Sequence, residues 1–92
     1  MIRLTEVYRH VSSTNPAQRY KVRDVYINPE HIRYIRDSSP EIQMVSESKV
    51  PGLPSHQRSF CVLSMEKENI IVVGTLKELE NKLFGKKVLL NG

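Results

Sequence analysis

A chain of 92 residues holds one domain and little more than one hydrophobic core. Its apolar share of 39% and charged share of 26% exclude a wholly disordered chain. A formal charge of +4 permits an anionic partner without demanding one.

From the N-terminus, Ile2-Arg3-Leu4-Thr5-Glu6-Val7-Tyr8 alternates apolar with polar and predicts a first strand. Turn-forming Ser12-Ser13-Thr14-Asn15-Pro16 separates it from Tyr20-Lys21-Val22-Arg23-Asp24-Val25-Tyr26-Ile27, a second strand rich in β-formers. Asn28-Pro29-Glu30-His31 then predicts a single 3₁₀ turn, with Asn28 as cap and Pro29 at the first helical position. Ile32-Arg33-Tyr34-Ile35-Arg36 resumes strand character. Ser38-Ser39-Pro40 interrupts it, and Glu41-Ile42-Gln43-Met44-Val45 is expected to continue it as an edge strand.

Residues 46–58 lose the pattern, and Val50-Pro51-Gly52-Leu53-Pro54 suits neither a sheet interior nor a helix. Ser59-Phe60-Cys61-Val62-Leu63-Ser64-Met65 is apolar on both faces and reads as a central strand. A charged hairpin turn, Glu66-Lys67-Glu68-Asn69, leads into Ile70-Ile71-Val72-Val73. After Gly74, Thr75 and Glu78 have the spacing of a capping box. Leu76, Leu79, Leu83 and Phe84 then form one apolar stripe at helical period. Val88-Leu89-Leu90 is a short apolar tail. These elements predict an α+β domain: a small curled antiparallel sheet or barrel-like roll of five strands, packed by one short C-terminal helix.

Chemistry is sparse. His10, His31 and His56 fall in separate segments, and neither a nucleophile elbow nor a phosphate-binding glycine loop is present. One cysteine and three scattered histidines match no zinc spacing. The expectation is a non-enzyme without metal or cofactor. Cys61 has no disulfide partner and apolar neighbours, which predicts a buried, inert thiol and a reducing compartment. With no apolar run of spanning length and no secretory leader, the expected location is cytoplasmic, away from the membrane.

Two surfaces stand out. Arg19, Tyr20, Lys21 and Arg23, followed by Arg33, Tyr34 and Arg36, could grip phosphates through guanidinium groups and stack bases on tyrosines, provided the second and third strands are neighbours. The alternative is a solvated strand face with tyrosines at the core margin. In the 46–58 loop, Val50, Pro51, Leu53 and Pro54 make a semi-rigid apolar tip suited to a protein partner. A small core would also gain from homodimerisation. Protein recognition through this loop or a sheet edge is the leading expectation; nucleic-acid binding is the alternative.

The succession Val25-Tyr26-Ile27-Asn28-Pro29-Glu30-His31-Ile32-Arg33-Tyr34-Ile35, then Ile70-Ile71-Val72-Val73-Gly74-Thr75-Leu76-Lys77-Glu78-Leu79, resembles the small FlbD-like proteins of flagellar gene clusters and their short phage relatives. Those share a plan of strand, Asn-x-x-x-Ile-x-x-Ile, strand, Val-x-Val, helix. Residues 38–58 and the long first connection depart from it. The resemblance implies a small accessory protein without known catalysis, of the kind common in phages and mobile elements.

Overall fold

The computed structural model describes residues 1–10, 19–48, 50–53 and 59–85. Strands β1 (Ile2–Arg9), β2 (Tyr20–Ile27), β3 (Ile32–Arg36), β4 (Phe60–Met65) and β5 (Asn69–Val73) form one antiparallel sheet in the order β2-β1-β5-β4-β3. Two helices accompany it, α1 (Pro40–Ser46) and α2 (Leu76–Phe84). The expected α+β domain is present, with five strands and a capped C-terminal helix. The second helix was not expected.

The two edge strands are consecutive in the chain. A flat sheet would hold β2 and β3 about 19 Å apart, at roughly 4.8 Å per strand step. The path from Ile27 to Ile32 reaches only about 17 Å fully extended, and the 3₁₀ turn Pro29–His31 within it shortens that further. The sheet must therefore curl. Ile27 of β2 and Ile32 of β3 duly pack against the same core cluster. Asn28 fixes the turn, its Oδ1 accepting from the Glu30 amide at 3.0 Å.

Curling gives the sheet an inner and an outer face. The inner cluster gathers Leu4, Ile27, Cys61, Leu63, Ile70 and Val72 under Leu79 and Leu83 of α2. The outer cluster sets Val7, Tyr20, Phe60 and Val62 against Ile42 and Val45 of α1. Because β4 alternates between two buried faces, all its residues but Met65 are buried. That accounts for its unbroken apolar run.

α1 replaces the predicted edge strand. Its residues alternate, but the Ser39 hydroxyl accepts from the Ile42 amide at 3.1 Å and Pro40 occupies the first turn, so the local cap decides for a helix. Ile42 and Val45, three apart, then share the buried side. α2 begins with the expected capping box: the Thr75 Oγ1 accepts from Glu78 N at 3.1 Å, and Glu78 Oε1 accepts from Thr75 N at 2.8 Å. The bond from the Thr75 backbone amide, then the Thr75 side chain, holds the Glu78 carboxyl below its usual range.

β3 carries a bulge. Ile32 pairs with Met65 and Tyr34 with Ser64, leaving Arg33 as the extra residue. The bulge shifts the alternation, so Ile32 and Ile35 both reach the inner cluster despite an odd spacing. Tyr34 and Arg36, opposite Ser64 and Val62, fall on the outer face.

Cys61 is fully buried, and its Sγ donates to the Gly74 carbonyl at 3.6 Å. Burial pushes the thiol up to about 11 from an ordinary 9.0. A raised pKa favours the folded state below pH 9, and that advantage is lost between pH 9 and 11 as the unfolded thiol ionises first. Relative to Cys61→Ala, the wild type is expected to lose about 1.4 kcal/mol at pH 10, one unit of linkage. Paired urea titrations at pH 8 and pH 10 measure it.

Candidate functional site

The predicted basic surface is divided. β2 and β3 lie at opposite edges of the sheet rather than side by side, so the seven residues do not form one patch. On β2, Lys21 and Arg23 face inward, opposite Tyr8 and Glu6 of β1, while Arg19 is exposed just outside the strand. Arg23 is already engaged. Its Nε donates to Glu6 Oε1 at 3.0 Å and its Nη2 to Oε2 at 3.5 Å. Its guanidinium also stacks 4.2 Å from the centre of the Tyr8 ring. The hydrogen bond to Glu6, then its charge, raise the Arg23 guanidinium above its ordinary value. Glu6 is buried and needs that partner. Tyr20 is buried in the outer cluster and has no face open to a base, contrary to expectation.

Curling does bring Arg23 and Arg33 to the rim of one cleft of about 930 Å³. Its floor is apolar, with Val25, Ile27, Ile32 and Met65 among the lining residues. The rim mixes signs, since Asp24, Glu30, Glu66 and Glu68 stand among the cations. Such a rim does not select phosphate.

The loop is also corrected in part. Val50 and Leu53 are half-buried and pack against the outer cluster, so their apolar surface serves the protein's own core. The Leu53 amide donates to Val50 O at 3.3 Å, closing a turn whose Pro51 and Gly52 are exposed. Pro54 lies outside the described residues, as do His56 and the Val88-Leu89-Leu90 tail.

Among the described residues, β2 and β3 each have one neighbour in the sheet. That of β3 is β4, so alternate amides and carbonyls of β3 face away from the sheet. Beside that edge runs a groove of about 320 Å³, formed by Ile32, Tyr34 and Ile35 of the strand with Leu76, Glu80 and Phe84 of α2. Leu76, Phe84 and Tyr34 are 41%, 40% and 40% exposed, although Leu79 and Leu83 on the same helix are buried. The helical stripe is therefore split: its centre fills the core and its flank borders β3. The clue in the sequence is that Leu76 and Phe84 stand eight apart, bracketing the central pair. The cleft and the groove share Ile32 and Arg33, so they meet at the start of β3. On the outer side of this edge, Arg36 lies 4.6 Å over the centre of the Tyr34 ring.

Among the described residues, no group of three His, Cys, Asp or Glu side chains is arranged to hold a metal ion. No helix among them is long and apolar enough to cross a membrane. Comparison with protein-family models, curated proteins and solved structures finds no match to this chain.

Proposed function

We propose that this chain is a small non-enzymatic binding module that recognises a protein partner by adding an extended segment of that partner to the free edge of β3. The observation that supports it is three large apolar side chains, about 40% exposed, bordering a strand edge that no described residue pairs with. In strand addition the main chain supplies affinity and alternate side chains supply specificity. The groove offers both. A cytoplasmic setting suits the buried free thiol of Cys61, and the FlbD-like resemblance suits an accessory role.

Self-pairing through this edge is disfavoured. A two-fold ladder would crowd the Arg33 and Arg36 side chains of two copies into five residues, and the Arg33 bulge interrupts it. Nucleic-acid binding through β2 is the weaker reading, because Glu6 occupies Arg23 and Tyr20 is buried.

The test begins with linear peptides selected from a random display library. Their titration into isotope-labelled protein is expected to move the amides of residues 32–36. Glutamate at both Leu76 and Phe84 should weaken binding at least tenfold while leaving the fold cooperative, since both positions are already partly solvated. Peptides that map to β2 or to residues 50–53, and ignore these substitutions, would refute the edge reading.

A further inference from the structure

We infer that the segment taken up by β3 alternates apolar with acidic residues, and that the edge reads the phase of this alternation. The inference rests on the strand-addition reading above. A strand laid beside β3 sends successive side chains to opposite faces of the sheet. On the inner face they meet Ile32, Ile35, Leu76 and Phe84, an apolar lining. The polar side chain in that lining is Glu80, besides Arg33 at the bulge.

On the outer face an added side chain meets Tyr34 and Arg36 instead. The Arg36 guanidinium stacks on the Tyr34 ring, which orients the fork without neutralising it and leaves its edge exposed. Among the described residues the one ion pair is Arg23 with Glu6; neither Asp37 nor any other described carboxylate pairs with Arg36. A glutamate on a neighbouring strand would stand about 5 Å away between Cβ atoms and could accept from that fork.

The two faces differ in preference. The inner lining is apolar, with Glu80 and Arg33 of opposite charge, and on the outer face Arg36 repels bases. A slip by one residue exchanges every side chain between faces. It would set acids against the apolar lining and apolar groups against Arg36. The edge thus distinguishes an alternating segment from one of equal composition in blocks, and an acidic segment from a basic one.

Four synthetic octapeptides test this on the full chain: alternating Val-Glu, alternating Val-Lys, alternating Val-Ser and the block isomer Val₄Glu₄. Fluorescence anisotropy gives affinity, and amide shifts give location. The alternating Val-Glu peptide is expected to bind at residues 32–36 at least tenfold more tightly than the other three. Arg36→Glu should reverse the order between the Glu and Lys peptides, a rescue that a misfolded variant could not produce. If the Val-Ser or Val-Lys peptide binds β3 equally well and Arg36→Glu changes nothing, the acidic preference falls while strand addition stands. If no peptide moves residues 32–36, both fall.

Discussion

Leu79→Ala is expected to lower the free energy of unfolding by about 3 kcal/mol, the middle of the range for truncating a buried leucine. Leu79 is 1% exposed and belongs to the inner cluster with Leu83, Cys61 and Val72. Against the roughly 5–15 kcal/mol that holds a domain of this kind together, that is a large fraction. The midpoint of thermal unfolding should fall by about 12–20 °C. Leu76→Ala is the control, because Leu76 is on the same helix but 41% exposed. It should cost less than about 1 kcal/mol. Equal losses from the two variants in urea denaturation would mean that α2 does not use Leu79 as its anchor.

Gly74→Val is expected to cost about 3 kcal/mol, for reasons of backbone and of space. Gly74 has φ +135°, a conformation that side chains of L configuration rarely adopt, and such strain costs of order 1–3 kcal/mol. A Cβ there would stand 3.4 Å from Leu79 Cγ and 3.5 Å from its Cδ2, so further branching overpacks the helix against the strand by about 1–3 kcal/mol. The position is also tied on both sides. The Gly74 amide donates to Ser59 O at 2.8 Å, and its carbonyl accepts from Cys61. Urea unfolding of Gly74→Ala, expected near 2 kcal/mol, separates the conformational part from the crowding. An alanine variant as stable as wild type would refute the claim that the turn from β5 into α2 needs glycine.

Much of this architecture is legible in the chain because its signals are local. The five strands, the Asn28–Pro29 turn, the Glu66–Asn69 hairpin turn and the Thr75–Glu78 box each depend on residues within a few positions of one another. α1 shows where two local signals compete. The spacing of Ile42 and Met44 resembles a strand, yet the Ser39 cap and Pro40 outweigh it. Once the helix forms, Met44 is turned outward to 47% exposure.

The candidate site is less legible, since it depends on which strands become neighbours. Arg23 and Arg36 look like one cluster until β2 and β3 take opposite edges. Glu6 is seventeen residues from Arg23, so nothing near Arg23 reveals that its charge is taken. Tyr20 looks free until α1 contributes Ile42 and Val45 to its cluster. The groove arises because α2 is rotated to bury Leu79 and Leu83 most deeply, which leaves Leu76 and Phe84 beside β3. Periodicity gives a stripe, but not which of its members reaches the core.

The middle of the sheet joins the first strand to the last: Glu6 pairs with Val72 and Val7 with Ile71. A ribosome that has released β1 and β2 has delivered a hairpin with one side still unmatched, and the strand that matches it begins only at Asn69. Until then the nascent chain offers an adhesive ribbon to whatever is nearby. The centre of the sheet therefore closes only through contacts of long sequence separation, which slow folding.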